Sequence, residues 1–584
     1  MEKWIETRKS GNFTEIGKRH GIDPVIARIM RNRDISTDDQ IEEYLHGGIE
    51  HLNDPHLLKD ADRAAAIIRE KIAEGKKIRI IGDYDIDGVN ATYILLKALR
   101  RCGADVDYAI PDRVRDGYGI NEHLIECAYE DQIDTIITCD NGIAARDAIA
   151  LAKEKQMTVI VTDHHDIPYV MVDGQKQYQI PEADAVINPK QADCPYPYKE
   201  LCGAVVAFKL VQILYENTDY DVMEFLENAA FATVGDVMNL TGENRILVKE
   251  GLKAIHTTKS PGLLALILQN ELVPENIATY HLGYVLGPCM NASGRLDTAE
   301  AAVELLLSEE DAVASGYARR LIELNAERKN LTTENYELAV AQIEEHHWDK
   351  DRVMVVYLPE CHESLAGIIA GRIRERYYRP VFVLTKSEDG VKGSGRSIEE
   401  YSMYEEMNKI ADIFTRFGGH PMAAGLSLAG EEKVDEFRRR LNEQCSLTED
   451  DLTEKIRIDV PVPISYVSLP LITQLAVLEP CGKGNSKPVF ADRKIHIREA
   501  RIVGKNRNVL KLVLAGEHIS QMDAVYFGDI EVFLNYFREK FGEDQVDAML
   551  HGKTNRIEMA MIYDMAVNDY QGRQSPQIIV RRYR

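Results

Sequence analysis

The chain has 584 residues, of which 45% are hydrophobic and 28% charged, and it carries a net charge of −25. A single core stops growing at roughly 250–300 residues, so two to four domains are expected, and the balance of apolar and charged residues excludes a disordered protein. No stretch reaches the ~20 apolar residues needed to cross a bilayer, and the charged start of the chain does not resemble a signal peptide, so a cytoplasmic protein with no membrane attachment is expected.

Nine cysteines without a Cys-x-x-Cys pair argue against both a disulfide framework and a structural zinc site. The acidic excess is unlike that of most nucleic-acid binders. Binding follows local potential, however, and basic clusters occur at Arg372, Arg374, Arg376 and Arg379, at Arg438 to Arg440, and at Lys505, Arg507 and Lys511. Each cluster taken alone reads as a solvated face.

In chain order, residues 1–55 form an N-terminal segment. Helical spacing over 61–75 leads into a strand at 77–81, then an acidic turn, then a helix over 89–101. The pattern repeats: strand 104–110, helix 121–130, strand 135–138, helix 144–155, strand 157–162. Strands alternating with helices at this spacing predict a parallel sheet covered on both faces, so the first domain, 56–310, is α/β with a helical part from about 200 onward. The charged, Pro-free stretch 311–347 suits a connecting helix. A strand at 352–357, a helix over 363–377 and a strand at 380–385 mark a second α/β domain, 348–450. Beyond it, short strands near 455–462, 494–503 and 509–514 suggest an OB-like β-barrel over 451–570, followed by a tail, 571–584.

Acidic groups recur where the strands of the first sheet end. The first strand leads into Asp83, Asp85 and Asp87, the third into Asp140-Asn141-Gly142, the fourth into Asp163-His164-His165-Asp166. Ligands of open parallel sheets bind at those carboxyl ends, and Gly88 and Gly142 allow the sharp turns that aim neighbouring carboxylates at one point. An isolated Asp after a strand usually caps a helix, and Asp-x-Asp-x-Asp-Gly also resembles a calcium loop. That loop should carry Glu at its twelfth position, where this chain has Leu95. Carboxylates mixed with imidazoles suit Mn²⁺ or Mg²⁺, and several carboxylates on one rim cannot all stay ionised without cations. Asp236 of Gly235-Asp236 adds a further acid at a helix end.

These motifs, in this order, resemble those of the DHH phosphoesterase superfamily. Asn291-Ala292-Ser293-Gly294-Arg295 and Gly418-Gly419-His420-Pro421-Met422-Ala423-Ala424-Gly425 resemble motifs of its RecJ single-strand-specific exonucleases, the second lying in a DHH-associated domain. The resemblance spans about residues 50 to 565. It implies that Asp83, Asp85, Asp87, Asp140, His164 and Asp236 hold two Mn²⁺ or Mg²⁺ ions, bridged by Asp87 or Asp140. It further implies that Asp140, His164 and His165 serve catalysis, His165 contacting the scissile phosphate. Two ions about 3.5–4 Å apart would generate a hydroxide nucleophile and stabilise the leaving oxygen.

Arg113 and Tyr118 resemble residues that recognise a 5′ end, and Asn291 and Arg295 belong to the nucleotide-contacting motif. Ser394, Arg396, Gly418, Gly419 and His420 would cradle phosphates through backbone N–H groups and a guanidinium. An OB barrel would hold single-stranded DNA by stacking and a basic groove, with Lys483, Lys505, Arg507 and Tyr526 as groove candidates. The family's Cys-Gly-x-Gly-Asn-Pro turn departs here, because Ser486 follows Asn485.

The function so implied is a single-stranded-DNA-specific 5′–3′ exonuclease releasing mononucleotides in DNA repair and recombination. It would be a monomer acting on single-stranded DNA, with a helicase or single-strand-binding protein as the class of protein partner. Small DHH phosphodiesterases that cleave short oligoribonucleotides or cyclic dinucleotides are the first alternative, and they usually end after the second domain. A catalytically dead scaffold conflicts with Asp or His at every ligand position, and a manganese pyrophosphatase would lack the β-rich tail and the Asn291 to Arg295 motif.

Overall fold

The computed structural model describes residues 2–113, 116–117, 119–388 and 390–584. The chain divides into two compact units, one formed by Leu52–Glu454 and the other by Met1–His51 together with Lys455–Arg584.

The first unit opens with a five-stranded parallel sheet in the order Asp105–Ala109, Lys77–Ile81, Thr135–Cys139, Thr158–Thr162, Ala185–Ile187. The two strands Thr135–Cys139 and Thr158–Thr162 are β-branched almost throughout and buried on both faces, the pattern of strands covered by helices on either side. Helix Ile86–Arg101 starts at the first acidic turn and is buried along nearly its whole length, packed on the apolar helix Gly203–Tyr215. The last strand of the sheet has only three residues and was not expected, because it is too short to show periodicity. Nor was the exposed hairpin of Tyr169–Val172 and Gln175–Tyr178.

As expected, the next region is helical. It leads into Asp311–His346, a 36-residue helix matching the predicted connector, which packs on Gly287–Leu296 at one end and Ala366–Tyr377 at the other. The second sheet has five strands in the order Phe414–His420, Ala423–Leu428, Gly390–Arg396, Val381–Ser387, Met354–Tyr357; only the last pair is parallel.

In the second unit, the strands Phe490–Val503, Val509–Gly516, Ile519–Tyr526, Arg573–Tyr583 and Glu558–Tyr570 pair in turn, and the last pairs back on the first, closing a barrel. Residues 571–584 are therefore not a tail. Arg573–Tyr583 supplies only Ile578 and Val580 as buried apolar side chains, too few for a clear alternation, and it is the long ladder with Glu558–Tyr570 that makes it a strand. The N-terminal helices Pro24–Asn32 and Asp38–His46 put Ile26, Ile29, Met30 and Ile41 into the same core as Val460, Leu471 and Leu478. Asn485 closes the departing turn: its amide donates to the carbonyls of Leu478 and Pro480, both at 2.8 Å, and its Oδ1 accepts from Arg33 and Tyr44. The turn is held by a buried side chain, so Ser486 in place of proline leaves it pinned.

Candidate metal centre

The acidic residues converge at the carboxyl ends of the first sheet. Asp140 follows its strand with a left-handed φ of 62° and donates its N–H to the Thr162 carbonyl at 3.0 Å, while the Asp163 N–H reaches the Ile187 carbonyl at 3.0 Å. Asn141 ties the rim together through bonds from its amide to the carbonyls of Ile81 and Cys139 and from the Ile120 N–H to its Oδ1. Gly88 is required by proximity: a Cβ there would lie 2.5 to 2.7 Å from the Asp83 backbone. Gly203 is required likewise, since a Cβ would sit 2.6 Å from that of Asp140.

Two of the carboxylates cap helices, and in both cases the cap fixes the side chain's aim. Asp85 accepts from the N–H groups of Asp87 and Gly88 at the start of its own helix. Asp87 accepts from Gly203 at 2.6 Å and Ala204 at 2.8 Å, so the N-terminus of a second helix, whose dipole favours an anion, holds it. The capping and metal readings are therefore compatible at these positions.

Ligand atoms of Asp83, Asp85 and Asp140 lie within 4.8 Å of one another, as do those of Asp87, His164 and Asp236, and those of Asp140, His164 and His165. The first two triads are joined where His164 Nε2 lies 3.1 Å from Asp140 Oδ1; the same nitrogen is 3.5 Å from Asp87 and 3.8 Å from Asp236. Neither carboxylate oxygen of buried Asp83 meets a hydrogen-bond donor among the described residues. Burial, followed by the charge of Asp85, pushes the Asp83 carboxyl well above its usual range; burial and the neighbouring aspartates do the same to Asp140, and burial with Asp87 raises Asp85. Burial also lowers His164 to about 4, leaving the neutral imidazole that ligates metals.

Asp163 was named in the motif but given no role, and the structure supplies one. Its carboxylate accepts from the N–H groups of His164, His165 and Ile143 and from His165 Nδ1 at 2.8 Å. Burial opposes its ionisation, but the His165 hydrogen bond and charge outweigh it and hold the carboxyl at about 2. Burial would likewise lower His165, and the Asp163 bond with the surrounding carboxylates instead raises it to about 9. Asp163 thus orients the His165 ring and fixes the backbone of both histidines. A carboxylate preceding two histidines at a strand end was the sequence signal for it.

The expected phosphate-binding residues separate into several places. Arg113 stacks over the Tyr84 ring at 4.8 Å. Tyr118 lies outside the described residues. The Asn291 Oδ1 accepts from the Ile86 N–H at 2.8 Å, so this oxygen anchors the start of helix Ile86–Arg101. Arg295 donates to the Ser364 carbonyl at 2.7 Å, and burial beside Arg113 and Arg328 lowers it to about 10. A cavity of about 340 Å³ is lined by Arg113, Tyr84, Lys392, Ser394 and Arg416 among others. Lys392 and Arg416 were missed, because single basic residues on strands carry no motif.

Ser394 and Arg396 sit on an inner strand, and Gly418, Gly419 and His420 on the edge strand, all in ladder register with Ala423–Leu428. They are not the backbone loops a phosphate cradle needs, and the Arg396 guanidinium bonds to the Gly395 carbonyl and packs beneath Gly367. His420 does approach the metal side, with Nδ1 3.9 Å from Asp166, next in chain to His165. In the barrel unit Lys483, Lys505 and Arg507 are exposed. Tyr526 is buried against Phe533 and Tyr583, so its ring is not offered to a base.

Family models match along most of the chain: the DHH family N-terminal domain over residues 77–233, the DHHA1 domain over 350–447 and the RecJ OB domain over 458–582. The chain is 33% identical over 567 residues to the single-stranded-DNA-specific exonuclease RecJ of Bacillus subtilis, covering 96% of this chain and 68% of that one. To the Escherichia coli protein of the same name it is 30% identical over 582 residues, covering 95% of each. The solved structure of RecJ in complex with Mn²⁺ from Thermus thermophilus superposes with a TM-score of 0.79 at 26% identity, over 100% of this chain and 79% of that one.

Proposed function

Because the chain belongs to the family of single-stranded-DNA-specific exonucleases RecJ, we propose that it hydrolyses single-stranded DNA from the 5′ end, releasing mononucleotides in repair and recombination. The observation that carries this reading is the pair of acidic triads joined through Asp140 and His164, with both Asp83 oxygens buried and unsatisfied. Such a donor set suits two Mn²⁺ or Mg²⁺ ions, held by Asp83, Asp85 and Asp140 on one side and by Asp87, His164 and Asp236 on the other. When bound, such a pair supplies water activation and neutralises charge on the reacting phosphate.

The chain's own residues do the rest. Asp163 fixes the His164 backbone through its N–H and takes a hydrogen bond from His165 Nδ1, which leaves His165 Nε2 to meet a phosphate oxygen. Arg113, Lys392 and Arg416 around the adjacent cavity offer charge-assisted donors for the terminal phosphate, and Ser394 adds a hydroxyl. His420 orients the strand from the second sheet, and Asn291 keeps the start of the metal-binding helix fixed.

The barrel unit supports a polymeric substrate over short oligoribonucleotides or cyclic dinucleotides, because the part of the chain after the second sheet matches the RecJ OB domain. The enzyme acts as a cytoplasmic monomer on strands exposed by a helicase or covered by a single-strand-binding protein, since its substrate must be unpaired. Product lengths from 5′- and 3′-labelled single strands with Mn²⁺ test the reading. Labelled mononucleotide appearing first from the 5′ label supports it, and internal cuts or 3′ release refute it.

A further inference from the structure

Directly after the Asp-His-His motif the chain makes an antiparallel hairpin, Tyr169–Val172 paired with Gln175–Tyr178, turning at Asp173 and Gly174. Its base is tied, with the Gln179 N–H donating to the Pro168 carbonyl at 2.7 Å and Arg146 bonded to the Gln179 side chain. All eight strand residues are exposed. Residues directly opposed across a ladder project to the same face, so Tyr169, Tyr178, Met171 and Lys176 share one side. The tyrosine rings meet edge-on at 6.1 Å, and Lys176 Nζ stands 4.2 Å over the Tyr169 ring. Tyr169, Tyr178 and Met171 are 45%, 48% and 60% exposed. A two-stranded ribbon buries too little surface to be stable by itself, and clustered apolar surface left in water marks an interaction site.

We propose that this face is a stacking platform for bases of the single strand a few nucleotides from the scissile phosphate. The inference rests on the nuclease reading above and adds a contact to it. Only Ile167 and Pro168 separate Tyr169 from Asp166, which lies beside His165 and 3.9 Å from His420. At ~3.6 Å per residue, Tyr169 lies at most about 11 Å from Asp166 along the chain, a span of no more than about three nucleotides at ~3.4 Å per stacked base. Two aromatic rings with a lysine over one of them are the elements of sequence-independent single-strand binding, in which every base offers a π face and the cation serves the phosphates. The opposite face carries Val170, Val172, Gln175 and Gln177 and has no ring to offer.

The test compares Y169A/Y178A with Y169F/Y178F and with V170T/V172T on the other face; all these positions are exposed, so folding is not at stake. Two readouts apply: hydrolysis of a dinucleotide and of a 20-mer with Mn²⁺, and quenching of 2-aminopurine placed at the third or fourth nucleotide of a single strand. The alanine pair is expected to raise KM for the 20-mer at least about fivefold, to leave the dinucleotide unchanged and to abolish quenching, while the phenylalanine pair and the valine-face variant behave as wild type. Wild-type KM and quenching in the alanine pair would overturn the platform. A wild-type enzyme that quenches 2-aminopurine but hydrolyses neither substrate would refute the nuclease reading and leave the platform standing.

Discussion

Replacing Asp140 by Asn separates metal binding from fold stability. Asn tolerates the left-handed φ of this position and keeps the side-chain shape. Ligand atoms of Asp83, Asp85 and Asp140 lie within 4.8 Å of one another, and two ionised carboxylates at that distance repel by about 3.5 kcal/mol at an effective dielectric near 20. Burial, together with the neighbouring carboxylates, pushes both Asp83 and Asp140 well above the usual carboxylate range, so the repulsion felt at neutral pH is below that full value. A neutral amide should therefore recover about 1–2 kcal/mol in chelator, after allowing ~1 kcal/mol for weakening the 3.1 Å contact with His164.

With Mn²⁺ at a hundred times its Kd, the wild type gains about 2.7 kcal/mol that the variant lacks. Thermal unfolding of both proteins in EDTA and in Mn²⁺ is the assay, with activity on a labelled 20-mer alongside. The expected outcome is a crossing: D140N melts higher than wild type in EDTA and lower in Mn²⁺, and cleavage falls by more than a hundredfold. A variant that melts lower in EDTA and shows an undiminished Mn²⁺ shift would mean that Asp140 is a structural cap, and the two-triad assignment would fail.

His420→Ala should raise KM for single strands while leaving Mn²⁺ loading as in wild type, because His420 belongs to the second sheet; loss of bound Mn²⁺, read by isothermal titration, would contradict that division. A chain reduced to Leu52–Glu454 should hydrolyse very short oligonucleotides at near wild-type rates but lose about thirtyfold on long strands, the equivalent of two stacked bases at ~1 kcal/mol each. Equal losses on both substrates would mean that the barrel unit supports the fold instead of the DNA. Glu243→Ala should destabilise the catalytic unit by about 3–5 kcal/mol in urea, because it strands Lys209, whose fully buried ammonium lies 2.6 Å from that carboxylate. A change under 1 kcal/mol would show that Lys209 finds solvent or another anion.

Much of the candidate site was legible in the sequence because its residues stand at strand ends. A buried parallel strand is a short apolar run, and the residue after it is placed at the sheet's carboxyl rim whatever the rest of the fold does. Asp83, Asp140 and the Asp163 to His165 run could therefore be assigned to one edge before their distances were known. Carboxylates mixed with imidazoles at those ends pointed to hard divalent ions for the same local reason. The connector helix was also evident, since a long charged stretch without Pro and almost without Gly has few other stable forms.

What depended on contacts distant in sequence could not be read there. Asp87 is held by a helix that starts at Gly203, Asn291 spends its oxygen on Ile86, and Arg396 lies beneath Gly367. Tyr526 looks like a stacking residue until Phe533 and Tyr583 cover it. Residues 1–51 carry helix signals but nothing that says their apolar face belongs in the barrel core, and Arg573–Tyr583 becomes a strand only through its partner. Sequence by itself determined the local elements and the chemistry at their ends, because propensity, periodicity and strand termini act over a few residues. Only the tertiary structure decided which donors, acceptors and apolar faces are already occupied, because hydrogen-bond capacity and buried surface are shared across the whole chain.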